Sequence, residues 1–486
     1  MPRFGPIEMP ENRAGTVRFA CWLLLLASCS GGGTNAPGGG DPPPGGGAGG
    51  GGPILNLSPE FVLIDHPDQI PGSAFGISTC ILDFDGDGHA DLAVGAEGEE
   101  QGSGAVYVFW GPHLRQDQFL RIPAPNSQPA GLFGHELCRG GNLDGVSGDE
   151  LLVGAPEERA AEMNAAGAAY VISMTAAPVR IVSGTPESDA YFGTSLAVGD
   201  FEGSAVPQIA VGARGATSAS GMRGGRVEFF HFGPLGLLVA GRILTNPEPT
   251  ADAGNGNFGR LLAVERDGQG DPRHLIVPAL ANPSGGHSDA GLVYVYTLPL
   301  TGLPAFVLPS PVLHWEEGAG TRLGMSLDTA SGLLLAGAPR HDLAAGGAQP
   351  LDNAGCALLY EGPAFDATSP RVLRRSDHPA EIEFPLDLNG YQVALADVLG
   401  ADGVSDLVIF GLNIHSEHGM SILVYDGQAP GSPPVFIEPL PDSSGHFAEG
   451  VCHGQLAPGG PEELVVGDAR YGPGEDRRGR VVIFTF

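Results

Sequence analysis

Four aspartates lie close together in one short segment of the chain. Asp83, Asp85, Asp87 and Asp91 occupy positions 1, 3, 5 and 9 of a nine-residue turn, and two glycines between them let the backbone curl. The main-chain carbonyl of His89 can add a further oxygen. Hard oxygen ligands in a flexible loop suit Ca²⁺, and four carboxylates this close repel one another without a cation. The loop predicts a calcium site; the alternative is a solvated hairpin without metal.

Weaker versions of this loop recur along the chain. They keep two or three acidic or amide side chains but lose the regular spacing, as where Val146 replaces the middle ligand. They are expected to hold an ion less often than the first loop. Their candidate ligands are Asn142, Asp144 and Glu150 in the second copy, Glu265 and Asp267 in the fourth, and Asp397, Asp402 and Asp406 in the sixth.

These loops belong to a sevenfold repeat. Phe75 and Gly76 open the first copy, the aspartate loop follows, an apolar run ends in Gly95 and Ala96, and an alternating run begins after Gly104. Short apolar runs bounded by Gly or Pro are typical of buried strands, and alternating runs are typical of strands with two unlike faces. The copies begin 58 to 66 residues apart, at Gly76, Gly134, Gly193, Gly259, Gly324, Gly390 and Ala448.

This order of motifs resembles the FG-GAP repeat of integrin alpha subunits. The resemblance implies an all-β, seven-bladed β-propeller, with calcium at the four aspartates as a structural ion that joins the first two strands of a blade. A fourth strand follows the third in some copies, but none follows in the seventh. The strand at residues 61–65 is therefore predicted to complete the seventh blade and to close the ring, which removes open sheet edges.

The first 52 residues have the composition of an export signal followed by a spacer. A short apolar segment at residues 19–27 is too short to span a bilayer and runs into a sequence that looks like a bacterial lipobox. Residues 1–28 are predicted to be a lipoprotein signal peptide and Cys29 the lipidated residue; the alternative is an ordinary secretory signal with a chance cysteine. Residues 29–52, rich in Gly and Pro, predict a flexible tether, and residues 53–486 the propeller.

The composition excludes some classes of partner. The net charge is −32, and all 24 Lys and Arg positions are arginine. Such an acidic chain repels phosphate backbones and anionic lipid headgroups, so nucleic-acid binding is not expected. The lipid on Cys29 is the only predicted membrane attachment. We expect an exported monomer, anchored to the bacterial outer membrane or cell surface.

Binding residues are expected in loops, because a propeller is a rigid scaffold. The loops joining second and third strands are expected on one face; they either form a ligand face or are plain solvated loops. The favoured hypothesis is a surface module that binds a protein or glycan, as integrin-type propellers do. The alternative is an exported hydrolase or lyase acting on polysaccharide or lipid, which a deep central pocket with paired carboxylates or a His–Tyr pair would favour. The candidate ligand-face residues are Arg214, His287, Arg340, His341, His415, His418 and Arg470.

Three cysteines share one position of the repeat. Cys80, Cys138 and Cys452 each follow the phenylalanine position by five residues, which predicts equivalent places on inner strands of the first, second and seventh blades. Three interpretations remain open: a small buried residue, a disulfide between neighbouring blades, or a three-cysteine metal site.

Overall fold

The computed structural model describes residues 59–218, 220–234, 236–249, 257–283, 290–310, 321–341, 354–362, 365, 370–374, 389–411, 421–429, 431–437, 448–457, 459–472 and 476–486. The chain divides into two compact units, Met1–Gly52 and Pro53–Phe486. The signal peptide, Cys29, the tether, His287, His415 and His418 lie outside the described residues, and what was predicted of them stays a prediction.

The second unit contains seven four-stranded antiparallel sheets, which are the blades. In chain order its strands begin with β1 (Glu60–Asp65). Blade 1 is β2 (Phe75–Leu82), β3 (Asp91–Ala96), β4 (Ala105–Phe109) and β5 (Phe119–Pro123), with the short helix α1 (Glu99–Gly102) between β3 and β4; blade 2 is β6 (Glu136–Gly141), β7 (Glu150–Ala155), β8 (Ala168–Ile172) and β9 (Val179–Ile181); blade 3 is β10 (Phe192–Gly199), β11 (Gln208–Ala213), β12 (Arg226–Phe232) and β13 (Leu238–Thr245).

The remaining strands follow the same plan. Blade 4 is β14 (Ala263–Arg266), β15 (Pro272–Ala279), β16 (Leu292–Thr297) and β17 (Phe306–Pro309); blade 5 is β18 (Leu327–Ala330), β19 (Leu333–Ala338), β20 (Cys356–Glu361) and β21 (Arg371–Leu373); blade 6 is β22 (Asn389–Ala396), β23 (Asp406–Gly411), β24 (Ser421–Tyr425) and β25 (Val435–Ile437); blade 7 is β26 (Val451–Gly454), β27 (Glu463–Asp468) and β28 (Arg480–Thr485) with β1.

The core consists of seven apolar clusters, and each lies between two neighbouring blades. One cluster joins blade 1 to blade 2, the next joins blade 2 to blade 3, and so on to a cluster that joins blade 7 back to blade 1. Seven blades with seven interfaces form a closed ring, so the predicted seven-bladed propeller is confirmed.

The N-terminal strand closes this ring, as the sequence predicted. β1 pairs antiparallel with β28, with Phe61 opposite Phe484 and Ile64 opposite Val481. Ile64 is fully buried in the cluster between blades 7 and 1. Phe75 also bridges to Gly479 of blade 7, so both ends of the propeller sequence contribute to the same closure.

The glycine that opens each copy of the repeat lies where two blades touch. It has a positive φ in all six copies that keep it, between 80° and 94°. Its carbonyl oxygen lies against the glycine that ends the apolar run of the preceding blade: a Cβ added at Gly95 would lie 2.1 Å from the oxygen of Gly134, and one at Gly212 1.9 Å from that of Gly259. A side chain at either position would push the blades apart, so the two glycines of the repeat permit close blade packing.

Two further features bear on the sequence predictions. Among the described residues, no helix is both long enough and apolar enough to cross a membrane. Cys80, Cys138 and Cys452 lie on the first strands of blades 1, 2 and 7, as expected, and they form no disulfide. Burial raises the pKa of Cys80 well above its usual value and the pKa values of Cys138 and Cys452 to about 12, so these thiols are uncharged at neutral pH.

Candidate functional site

The aspartate loop of blade 1, residues 83–91, connects β2 to β3 and brings three carboxylates together. Asp83, Asp85 and Asp91 each present an oxygen, and these oxygens all lie within 4.8 Å of one another. Asp91 is buried and anchored: its Oδ2 accepts from the N–H of Phe84 and its Oδ1 from that of Gly111, both at 2.9 Å. Burial raises the pKa of Asp91, and the nearby charge of Asp85 acts in the same direction.

One carboxylate oxygen in this loop is buried and has no donor. Oδ2 of Asp83 accepts from the N–H of Gly88 at 3.1 Å, whereas Oδ1 has no hydrogen-bond partner among the described residues. A buried acceptor without a partner costs free energy unless a cation contacts it. The donor set is carboxylate oxygen alone, which fits a hard divalent cation such as Ca²⁺.

Asp87 and His89 take a different place from the other predicted ligands. Oδ1 of Asp87 accepts from the N–H of His89 at 2.8 Å, which stabilises the end of the turn. Asp87 is not part of the group of three carboxylates. The structure thus brings together three of the four predicted aspartates, and the roles of Asp87 and of the His89 carbonyl as ligands stay predictions.

In blades 2 and 6 the equivalent loops are occupied by their own hydrogen bonds. Oδ1 of Asn142 accepts from the N–H of Gly145 at 2.6 Å, and Asp144 and Glu150 likewise accept from main-chain N–H groups. In blade 6 both oxygens of Asp397 and both of Asp406 accept from backbone N–H groups. Asp402 accepts from the N–H of Val404 at 2.9 Å. Neither loop forms a convergent carboxylate group within the described ranges.

In blades 3 and 4 the equivalent loop contains a side-chain donor. In blade 3 the amide Nε2 of Gln208 donates to Ser204 Oγ at 3.0 Å and to the carbonyl of Val206. In blade 4 the guanidinium of Arg273 donates to Oδ2 of Asp267 at 2.8 Å, and this hydrogen bond lowers the pKa of Asp267. Glu265 turns to the N–H of Gly332. The loop of blade 1 is therefore the best cation site in the described part of the chain.

A second candidate site is the central cavity of the propeller, which encloses about 700 Å³. In every blade, the residue directly after the glycine position of the repeat is among the residues that line it. We call these residues the collar; they are Ile77, His135, Thr194, Arg260, Met325, Tyr391 and Glu449. In blades 1, 3 and 6 the strand register shifts just after this point, and such bulges re-aim side chains.

The predicted ligand-face residues separate into two groups. Arg214 lines the central cavity, with its guanidinium carbon 3.9 Å from the ring centroid of Tyr191. Arg470 pairs at 3.1 Å with Glu449 of the collar. Arg340 is exposed and His341 is buried, and neither lines this cavity.

The cavity holds an uneven set of charges. Nδ1 of His135 lies 2.6 Å from Oε2 of Glu97, and this contact raises the pKa of His135 against the effect of burial. Burial raises the pKa of Glu136 to about 7, although His135 and Arg260 act to lower it. Burial lowers the pKa of Arg260, and the positive charge of Arg214 adds to this. Sequence reasoning missed the collar, although its position after the repeat glycine was readable.

His453, which also lines the central cavity, joins two blades that are not neighbours. Its Nδ1 lies 2.9 Å from Glu462, and its Nε2 lies 3.1 Å from Asp328 of blade 5. Although burial acts to lower it, these two carboxylates raise the pKa of His453 to about 10. The imidazole ring of His453 is therefore charged at neutral pH, and its two ion pairs stabilise the wall of the central cavity.

Comparison with known proteins finds similarity to the FG-GAP repeat and to proteins that are named integrin alpha subunits. The FG-GAP repeat model matches residues 75–109. Integrin alpha-PS5 of Drosophila melanogaster is 40% identical over 92 residues, which are 18% of this chain and 9% of the relative. Mouse integrin alpha-7 is 31% identical over 206 residues, which are 40% of this chain and 16% of the relative. Human phosphatidylinositol-glycan-specific phospholipase D is 29% identical over 184 residues, 34% of this chain and 21% of the relative. The chain spans about a fifth or less of the length of these relatives.

Proposed function

We propose that this FG-GAP repeat propeller, which is similar to integrin alpha propellers, is a binding and adhesion module for a protein or glycan ligand and does not catalyse a reaction. One observation carries the proposal. The glycine position is kept in six blades and is Ala448 in the seventh, but the next residue differs in every blade. A position that a repeat scaffold leaves free, and that faces a shared cavity, is where binding residues are expected.

Calcium is proposed to stabilise this module at the loop of blade 1. The support is the convergence of three carboxylates and the buried, unpartnered oxygen of Asp83. When bound, the ion would neutralise Asp83, Asp85 and Asp91 and hold the turn between β2 and β3. The aspartate loop is part of a hairpin, and Asp83, Asp85, Asp87 and Asp91 do not line the central cavity. We therefore propose a structural role for the ion.

The propeller is proposed to be displayed on the bacterial cell surface through a lipid on Cys29. The support is the lipobox-like sequence before Cys29 and the Gly/Pro-rich residues that follow it. Replacement Cys29→Ser is expected to move the protein from the membrane fraction to the soluble fraction. Membrane fractionation that is unchanged in this variant would contradict the anchor.

The test of binding is a screen of the full chain against a glycan array and a panel of cell-surface proteins, with calcium and with a chelator. We expect a ligand whose affinity falls in collar variants such as Tyr391→Ala. The matched control is Phe119→Ala, an aromatic residue on the outer strand β5 of blade 1. An equal loss of affinity in both variants would locate binding away from the collar. Failure to find any ligand would contradict the proposed binding function.

A second candidate function has a specific observation in its favour. The central cavity places a carboxyl group of raised pKa, Glu136, beside His135, and Tyr391 and Glu449 line the same space. One relative is named a phospholipase D. Hydrolysis or cleavage of a polysaccharide or phospholipid that is abolished by Glu136→Gln would support an enzyme and displace the binding proposal.

A further inference from the structure

Several arginines in this protein have carboxylate partners, as expected in a chain with 56 acidic and 24 basic residues. Arg226 pairs with Glu187 at 2.5 Å and with Glu228 at 2.8 Å. Arg121 pairs with Glu99 at 2.5 Å, and Arg180 of blade 2 is paired in the same way. Paired charges avoid most of the cost of removing an ion from water.

Two arginines in the central cavity depart from this pattern. Arg260 donates through Nη1 to the thioether sulfur of Met325 at 3.4 Å, which is a weak acceptor. Arg214 stacks on the ring of Tyr191. Among the described residues, neither guanidinium has a carboxylate within 4.0 Å. Both arginines line the same cavity and are half-buried, so water screens their charges only in part. Their charges are close enough to repel each other.

Most other ionisable groups of the cavity are held in pairs of their own, Asp328 with His453 among them. Glu449 is engaged by Arg470 at 3.1 Å, and His135 is held by Glu97 at 2.6 Å. Glu136 carries the nearest uncommitted carboxyl group, and its enclosure disfavours the ionised form. Among the described residues, the two guanidinium groups of the cavity thus have no carboxylate ion-pair partner, within a strongly acidic molecule. Two close guanidinium groups without a carboxylate partner are unfavourable alone and favourable around an anion.

We propose that Arg214 and Arg260 bind the carboxylate of a uronic acid at the end of a glycan chain, inside the central cavity. This rests on the proposed binding function and names the ligand class. Arginine presents two parallel N–H donors that match a carboxylate, and two arginines can hold both of its oxygens.

The rest of the cavity fits a sugar. Its volume of about 700 Å³ lies within the range of small-molecule sites, and Tyr391 offers an aromatic face for a pyranose ring. Glu136, Glu449 and Gln392 also line the cavity and can accept hydrogen bonds from hydroxyl groups. The net charge of −32 disfavours a long polyanion along the face, which favours one carboxylate at a chain end.

The experiment is calorimetric titration of the full chain with galactotriose whose non-reducing end is oxidised to galacturonate, with neutral galactotriose, and with the acidic peptide Gly-Asp-Gly. We expect binding of the galacturonate-ended trisaccharide only, weakened about tenfold or more by Arg260→Gln and by Arg214→Gln, because a charge-assisted hydrogen bond is lost. Arg260→Lys should fall between the parent and Arg260→Gln. The matched control is Arg115→Gln, which removes an exposed arginine paired with Asp117 and should leave affinity unchanged.

Folding provides a second readout. Removing an unpaired guanidinium should leave the melting temperature unchanged or raise it, so a loss of binding in Arg260→Gln cannot come from unfolding. Binding of the acidic peptide with the same arginine dependence would overturn the sugar assignment, and equal binding by parent and arginine variants would overturn the site. If a neutral ligand binds and depends on Tyr391 but not on the arginines, this inference fails while the binding function stands.

Discussion

At the scale of single residues, the acidic loops of the blades differ in their supply of internal donors. The blade 1 loop leaves Oδ1 of Asp83 buried without a donor. The blade 4 loop gives Asp267 the guanidinium of Arg273, and the blade 3 loop gives its acceptors the amide of Gln208. A guanidinium or amide N–H supplies part of what an ion would supply, so we expect these loops to need a cation less than the blade 1 loop does.

The first prediction concerns this difference between loops. Calcium at 100 times its Kd stabilises the native state by about 2.7 kcal/mol if it binds that state alone. Asp85→Asn removes one ligand charge and should largely abolish the calcium-dependent rise in melting temperature. Asp267→Asn is the matched control in blade 4 and should retain the full rise, measured by calorimetry with calcium and with chelator. Equal calcium responses in Asp85→Asn and the parent would place the ion elsewhere.

The second prediction concerns Glu136 of the central cavity. Burial raises the pKa of its carboxyl group from 4.5 to about 7, so its contribution to stability is fully present below pH 4.5 and is lost as pH rises to about 7. The variant Glu136→Gln has no carboxyl group to titrate and does not show this loss. The free energy of unfolding of the variant minus that of the parent should be about 2 kcal/mol larger at pH 8 than at pH 5.5. Chemical denaturation of both proteins at both pH values measures this, and a pH-independent difference would show that Glu136 is not buried.

At the scale of elements, each first strand begins at a tight junction with the preceding blade. A Cβ added at Gly193 would lie 2.1 Å from the carbonyl oxygen of Ala168. Ala448 takes the glycine position in blade 7 and adopts φ of 69°, where a residue with Cβ is strained.

The third prediction uses this contrast. Ala448→Gly should stabilise the protein by up to about 1 kcal/mol. The substitution relieves the backbone strain at this position, and this gain is partly offset because glycine raises the conformational entropy of the unfolded chain. Gly193→Ala should destabilise it by about 3 kcal/mol or more, because backbone must move. Denaturant midpoints measure both changes. Destabilisation by Ala448→Gly would mean that packing of its methyl group outweighs backbone strain.

The strands and their grouping into blades were readable in the sequence because hydrophobic period and repeat spacing act locally. The aspartate loop was readable for the same reason; Asp83, Asp85 and Asp91 come together, and the role of Asp87 as a ligand stays a prediction. The position of the collar after the repeat glycine was readable, but the shared cavity of its seven side chains was not, and neither was the contact of His453 with Asp328, 125 residues away. Both depend on which side chains meet after the ring has closed.

At the scale of the whole molecule, closure of the ring depends on a strand from the opposite end of the propeller sequence. β1 contributes six register pairs with β28. His66, just after β1, is buried and lies 2.8 Å from Oε1 of Glu99 in blade 1, so the N-terminal segment touches both blades at the closure.

The fourth prediction tests closure with two neighbouring residues of β1. Ile64 is fully buried, whereas Leu63 is 36% exposed. Ile64→Ala should destabilise the protein by about 2–4 kcal/mol because it leaves a cavity between blades 7 and 1, and Leu63→Ala should cost markedly less. Thermal unfolding and aggregation on heating measure both. Equal effects of the two substitutions would mean that β1 is not docked as described.

The central claim is that the collar binds a ligand without converting it. The most direct measurement is equilibrium dialysis of the full chain against the ligand found in the screen, followed by mass spectrometry of the ligand on both sides. The account predicts about one unchanged ligand retained per chain, and retention that falls when Arg260 or Tyr391 is replaced. Conversion of the ligand to a product, or full retention by both collar variants, would contradict it.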